Sequence, residues 1–146
     1  MGSTCKECEE SLFKSEMGNM RHILVIDDEP AICGMLTEYF QRHTFDITTT
    51  LLAAEGMQVL TETRIDLVIL DIALEDADGL ELLEVIKHHH PTLPVVMLTG
   101  IGYDEELVAE ARLKKASAYV SKQLPLEQLL MEVQHALKTP SKELTV

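Results

Sequence analysis

Apolar residues along this chain follow two kinds of spacing. Short continuous runs are the first: Ile23-Leu24-Val25-Ile26, Leu67-Val68-Ile69-Leu70 and Val95-Val96-Met97-Leu98. Runs of this length, rich in β-branched side chains, predict strands covered on both faces. Phe45 to Thr50 alternates instead, with Phe45 and Ile47 set apart by Asp46 and threonines. That pattern predicts a strand with one poorer face, and so an edge position. Ala118 to Ser121 is a short fifth strand.

Between the runs the spacing becomes helical. Ile32, Met35, Leu36, Tyr39 and Phe40 fall at i, i+3, i+4, i+7 and i+8, and Pro30 suits the first turn. Leu126, Leu129, Leu130, Val133 and Leu137 form a similar stripe behind Pro125. Residues 79–90 and 103–115 predict two more helices. Residues 52–62 form the weakest, because Gly56 inside it costs ~1 kcal/mol relative to alanine. Asp78-Gly79 caps the third helix, and Asp76 reads as a solvated loop residue. His88, His89 and His90 point in different directions around a helix, so they mark its end rather than a metal site. Residues 1–20 lack a period and read as a flexible leader. Residues 21–138 form one domain, and residues 139–146 are a tail or the start of a linker.

Strand and helix thus alternate five times, which dictates an α/β fold: a doubly wound (βα)5 domain with a five-stranded parallel sheet, helices on both faces and right-handed crossovers. The doubly covered first, third and fourth strands belong at the centre and the alternating second at an edge. The order is then 2-1-3-4-5, with the topological switch point between strands one and three. Ligands of such sheets bind beyond the carboxyl ends of the strands, near that point.

Composition narrows the function. The 146 residues carry a net charge of −13 with a pI near 4.7, so this domain repels a phosphate backbone and direct nucleic-acid binding is not expected. No apolar run approaches the ~20 residues of a membrane span, and a soluble cytoplasmic protein is expected. Cys5, Cys8 and Cys33 make an odd count without a secretory signal, which implies reduced thiols. The Cys5/Cys8 pair has no second pair to complete the roughly four ligands of a zinc site.

The chemistry gathers just past the strands. Asp27 and Asp28 follow the first, Asp71 the third, Thr99 the fourth and Lys122 the fifth. Parallel strands bring all of them to one rim. Crowded carboxylates repel, and each has a raised pKa unless positive charge intervenes. Oxygen ligands select a hard divalent ion such as Mg²⁺ over zinc. A carboxylate can act as a nucleophile and form an aspartyl-phosphate, and phosphoryl transfer then needs positioning and neutralised oxygens. Asp71, single on a central strand, is the nucleophile candidate. Asp27 and Asp28 are placed to hold the ion, the Lys122 ammonium adds a fixed charge, and the Thr99 hydroxyl can donate to an oxyanion.

These stretches resemble the receiver domain of bacterial two-component response regulators. ILVIDDEPAI at 23–32 is similar to that family's first-strand acidic motif, DLVILDIALEDADGLELL at 66–83 to its phospho-acceptor motif, VVMLTG at 95–100 to its switch-threonine strand and AYVSK at 118–122 to its lysine strand. The resemblance implies a flavodoxin-like fold and Asp71 as phospho-acceptor. It implies Asp28 and Asp71 as direct Mg²⁺ ligands, with Asp27 acting partly through water and the Ala73 backbone carbonyl completing the set. Thr99 and Lys122 would contact the phosphoryl group, and Tyr119 would be the aromatic switch. A sensor histidine kinase or phosphotransfer protein is the implied donor. An output domain or target reads residues 103–138, and a phosphorylation-dependent dimer is compatible with the family. About eight residues follow the last helix, too few for a DNA-binding module, so a stand-alone regulator or an excised receiver is expected, the second favoured because the tail TPSKELTV stops without a terminal feature.

Three positions depart from the family pattern. Glu75 and Gln123 stand where the family usually has proline, the second often after a cis bond that a non-proline makes only at ~2.5–4 kcal/mol. Lys115 stands about where glycine commonly ends the fourth helix. Glu75 and Gln123 support a rival reading, a pseudo-receiver acting as a phosphorylation-independent interaction module. A second rival, a hydrolase with an aspartyl intermediate, usually needs an acid two residues beyond the nucleophile, where this chain has Ala73. The domain is therefore expected to be a signalling switch rather than a turnover enzyme. Ala73 and Ile101, two residues beyond Asp71 and Thr99, cannot polarise a water. Self-dephosphorylation is accordingly expected to be slow for this family; a phosphoryl half-life of only seconds, measured by loss of label from the phosphorylated protein, would contradict this.

Overall fold

The computed structural model describes residues 20–100 and 104–138. The leader up to residue 19, with Cys5 and Cys8, lies outside the described residues, as do Ile101 and the tail at 139–146. Among the described residues five strands alternate with five helices: β1 (His22–Ile26), α1 (Pro30–Arg42), β2 (Asp46–Thr50), α2 (Ala53–Glu62), β3 (Leu67–Asp71), α3 (Gly79–His89), β4 (Val95–Thr99), α4 (Glu105–Leu113), β5 (Ala118–Ser121) and α5 (Leu126–Lys138). All pairings are parallel and the sheet order is β2-β1-β3-β4-β5, the order that burial of the strands implies. None of the helices among the described residues is long and apolar enough to cross a membrane.

The two-residue period of each strand builds two cores. Leu24, Ile26, Val68, Leu70, Val95 and Met97 face the side covered by α2, α3 and α4, where they meet Leu60, Leu83 and Ile86. Ile23, Val25, Leu67, Ile69, Val96 and Leu98 face α1 and α5, where they meet Leu36, Phe40, Leu129 and Val133. Each such side chain, buried fully, contributes about 1.5–3 kcal/mol. The alternating β2 is an edge strand with only Thr50 buried.

Local chemistry ends the helices. Asp78 caps α3, its carboxylate accepting from the Leu80 N–H at 2.8 Å, and Asp104 caps α4 through the Glu106 and Leu107 N–H groups at 2.9 and 3.2 Å. His88 and His89 close α3, with His90 as its C-cap. At the end of α4, the Lys115 N–H donates to the Arg112 carbonyl and the Ala116 N–H to the Ala111 carbonyl, both at 2.9 Å. This closing turn requires a left-handed residue, and Lys115 supplies it at φ 73°. It adopts the conformation that a glycine would adopt without steric cost.

Two expectations are extended. Asp76 is exposed but not idle: it accepts from the Ala53 N–H at 2.8 Å and the Ala54 N–H at 3.2 Å. Leu52, the residue at the N-cap of α2, has no side-chain capping bond, so the loop after β3 supplies the cap from 23 residues away. The backbone donors hold the Asp76 carboxyl below its usual range. The second extension concerns Gly56. A Cβ there would lie 2.7 Å from Ile26 Cγ1 and closer still to Ile26 Cδ1. The glycine that weakens α2 by propensity is what lets α2 lie directly on β1, beside the residue that precedes Asp27.

Propensity alone says Gly56→Ala stabilises by ~1 kcal/mol, whereas the close approach says it destabilises by about 1–3 kcal/mol through overpacking. The structure predicts the second sign, and denaturant unfolding of the variant measures it directly.

Candidate functional site

Backbone pairing continues past the strand ends and sets the rim. The Asp27 N–H donates to the Thr50 carbonyl at 3.1 Å, the Ile72 N–H to the Leu98 carbonyl at 3.2 Å, and the Lys122 N–H to the Thr99 carbonyl at 2.7 Å. Asp71 is held from its other side. The Gly79 N–H donates to the Ile72 carbonyl at 2.6 Å, and a Cβ on Gly79 would meet the Ile72 Cα at 2.7 Å and collide with the Asp71 carbonyl. The start of α3 is thus seated against the Asp71 backbone, a position open only to glycine.

On this frame, carboxylate oxygens of Asp27, Asp28 and Asp71 all lie within 4.8 Å of one another. Asp27 is 0% exposed and Asp71 4%, while Asp28 is half-buried. The Lys122 ammonium reaches into the cluster, 3.0 Å from Asp27 Oδ2 and 3.3 Å from Asp71 Oδ2. It also pairs with Glu29 Oε1 at 2.5 Å. Asp71 Oδ1 accepts from the Ala73 N–H at 3.4 Å, and Asp27 Oδ1 accepts from the Glu29 N–H at 2.9 Å. Thr99 is buried at the end of β4. Tyr119 is half-buried on β5 and packs against the core under α2, α3 and α4.

The charges do not balance. Burial pushes the Asp71 carboxyl up to about 6, the Asp27 charge adds to it, and Lys122 and the Ala73 N–H pull part of it back. Asp27 is raised for the same first reason, burial, against the Glu29 N–H and Lys122. Burial pulls the Lys122 ammonium down, but Glu29, Asp27 and Asp71 more than offset this, so it is held protonated. For Tyr119, burial raises the hydroxyl, the Thr99 hydroxyl lowers it, and the Asp104 charge raises it further.

A divalent cation fits this deficit. The donor set is all oxygen, which suits a hard ion. Asp27 Oδ2 is buried without an aligned hydrogen-bond donor; its approach to Lys122 is an ion contact. One lysine against three carboxylates and Glu29 leaves negative charge uncompensated.

The residues expected at one rim, Asp27, Asp28, Asp71, Thr99 and Lys122, do lie at one rim. Lys122 reaches it although Gln123 replaces proline: no peptide bond among the described residues is cis, and the Gln123 N–H donates to Ser121 Oγ at 3.1 Å, a bond proline could not make. Glu75 and Ala73 are exposed. Glu29, not anticipated as a site residue, is the addition. The signal available for it was its place at the head of α1, just past the two aspartates. A wider cleft of about 590 Å³, lined by Arg64, Asp66, His89 and His90, opens at the opposite, amino-terminal end of β3 and β4. It holds none of these residues, and its Asp66 carboxylate accepts from the His22 N–H at 2.8 Å.

The response regulator receiver domain family matches residues 23–134. The nitrogen assimilation regulatory protein NtrX of Azorhizobium caulinodans is 34% identical over 119 residues, covering 80% of this chain and 26% of that protein. The chain thus spans about a quarter of the length of that curated relative. The crystal structure of the receiver domain of NtrX from Brucella abortus is 33% identical with a TM-score of 0.76, covering 80% of this chain and 98% of that one. A receiver domain described as BeF3-activated, that of DrrB, is 30% identical with a TM-score of 0.74, covering 82% and 99%.

A carboxyl raised above its unfolded value favours folding while protonated. That contribution is complete below the ordinary value of 3.8 and is lost as pH climbs through about 6. In metal-free protein, Asp71→Asn is therefore expected to raise Tm at pH 7.5, by at most about 3 kcal/mol in stability. The gain shrinks as pH falls through this range. Thermal melts in chelator check it, and a difference independent of pH would contradict it.

Proposed function

The chain belongs to the response regulator receiver domain family, and on that premise we propose that it is a phospho-accepting switch in which Asp71 takes a phosphoryl group from a histidine kinase, a phosphotransfer protein or a small phosphodonor. A carboxylate oxygen of Asp71 attacks phosphorus. The bond from phosphorus to the donor imidazole nitrogen breaks, the nitrogen keeps the electron pair, and a mixed anhydride remains on Asp71. Lys122 pairs with the phosphoryl oxygens and the Thr99 hydroxyl donates to one of them. Asp28 and Asp71 would hold Mg²⁺ directly, Asp27 would act partly through water, and the Ala73 carbonyl would complete the protein's share. When bound, the ion neutralises phosphoryl oxygens.

The observation that carries this reading is the Lys122 ammonium 3.0 and 3.3 Å from Asp27 and Asp71, in a cluster of three carboxylates within 4.8 Å. Phosphorylation adds negative charge at Asp71, to which the Thr99 hydroxyl moves. Because Tyr119 neighbours Thr99, its side chain changes rotamer, and the surface of α4, β5 and α5 shifts population toward a partner-binding state. The partner is an output module or a separate target, and DNA affinity, where the pathway needs it, belongs to such a module rather than to this acidic domain.

A beryllofluoride titration with Mg²⁺, followed by NMR, tests the proposal. Shifts are expected at Asp71, Thr99 and Tyr119 in the wild type and none in Asp71→Asn. A wild-type spectrum that does not respond would leave a phosphorylation-independent interaction module as the function.

A further inference from the structure

The three partners of Lys122 differ in freedom. The side chains of Asp27 and Asp71 are 1% and 5% exposed, and both sit on backbone that the sheet pins. Glu29 makes the shortest contact, 2.5 Å, yet its side chain is 58% exposed. Its backbone is tethered to Asp27 Oδ1, it stands at the N-cap of α1, and its side chain makes no capping bond. Glu29 therefore reaches into the rim from solvent, and the ion pair is what holds it there.

The ammonium donates to Glu29 and Asp71 and faces Asp27 in an ion contact, so its direction is set by all three carboxylates. If Asp71 accepts a phosphoryl group, as proposed above and as this inference requires, its carboxylate charge gives way to phosphoryl oxygens farther out, and Lys122 must turn toward them. Asp27 and Asp71 cannot retreat without disturbing strand ends, whereas Glu29 can swing out. We propose that Glu29 is a resting-state latch: it occupies Lys122 and competes with the phosphoryl oxygens for it, raising the donor concentration needed to charge Asp71. Glu29 is a positioning residue, acting on the reaction only through Lys122. An exposed pair of this kind is worth a modest factor, about two- to fivefold, and salt weakens it.

The test uses the full chain with Glu29→Gln and Glu29→Asp. In metal-free protein, Lys122 side-chain NMR relaxation is expected to show a looser side chain in both variants. With saturating Mg²⁺ at low salt, both should half-saturate with beryllofluoride at about two- to fivefold lower concentration than the wild type. The gap should close at high salt. With acetyl phosphate, the half-saturating concentration should fall while the maximal rate stays the same. Glu29→Asp keeps the charge but shortens the reach, so it separates a latch from a general charge effect: if Glu29→Asp matches the wild type while Glu29→Gln does not, the latch is overturned. An unchanged Lys122 side chain overturns it too, as does a lower maximal rate. If Lys122 loosens but neither wild type nor variants bind beryllofluoride, the phospho-acceptor reading fails and the competition with it.

Discussion

Mutual repulsion of the carboxylates at the rim is the constraint around which this domain is arranged. Asp27, Asp28 and Asp71 are forced together, within 4.8 Å, by strands that all end on the same side. The sheet supplies the force. β3 and β4 are buried along their whole length, and β1 along all but its first residue. The apolar area on their two faces holds in place an arrangement that its own charges oppose. Lys122 relieves part of the repulsion from the far end of the chain, and the remainder makes the site receptive to a cation.

Close packing of helices on the strand ends selects small residues near the rim. Gly79 brings the start of α3 against the Asp71 backbone, and Gly56 brings α2 against Ile26. Glycine at either place loosens the unfolded chain and weakens a helix, a cost that geometry at the rim justifies. Helix ends obey the same priority: Lys115 takes a left-handed conformation so that α4 can stop where β5 must begin.

Much of this was legible in the sequence. Runs such as Leu67–Leu70 show no alternation because both faces are covered, and that absence identified the central strands. The alternating Phe45–Thr50 identified an edge, and parallel polarity then brought Asp27, Asp28, Asp71, Thr99 and Lys122 together. What was not legible depends on contacts between segments far apart. Asp76 looked like a solvated acid because its partners, Ala53 and Ala54, belong to another loop. Gly56 looked like a defect because propensity is a local quantity and Ile26 is not local. Glu29 was passed over because its reach to Lys122 spans the sheet. Gln123 looked like an obstacle until its N–H was seen to bond Ser121.

The Asp76 bonds tie the rim to the start of α2. On one side of Asp71, two hydrogen bonds brace the loop that follows it to a helix lying tight on β1. On the other side lie Thr99 and Tyr119, a buried hydroxyl on β4 and a half-buried ring on β5. The loop after β3 and the first turn of α2 are therefore one mechanical piece, although 23 residues of chain separate the groups that join them.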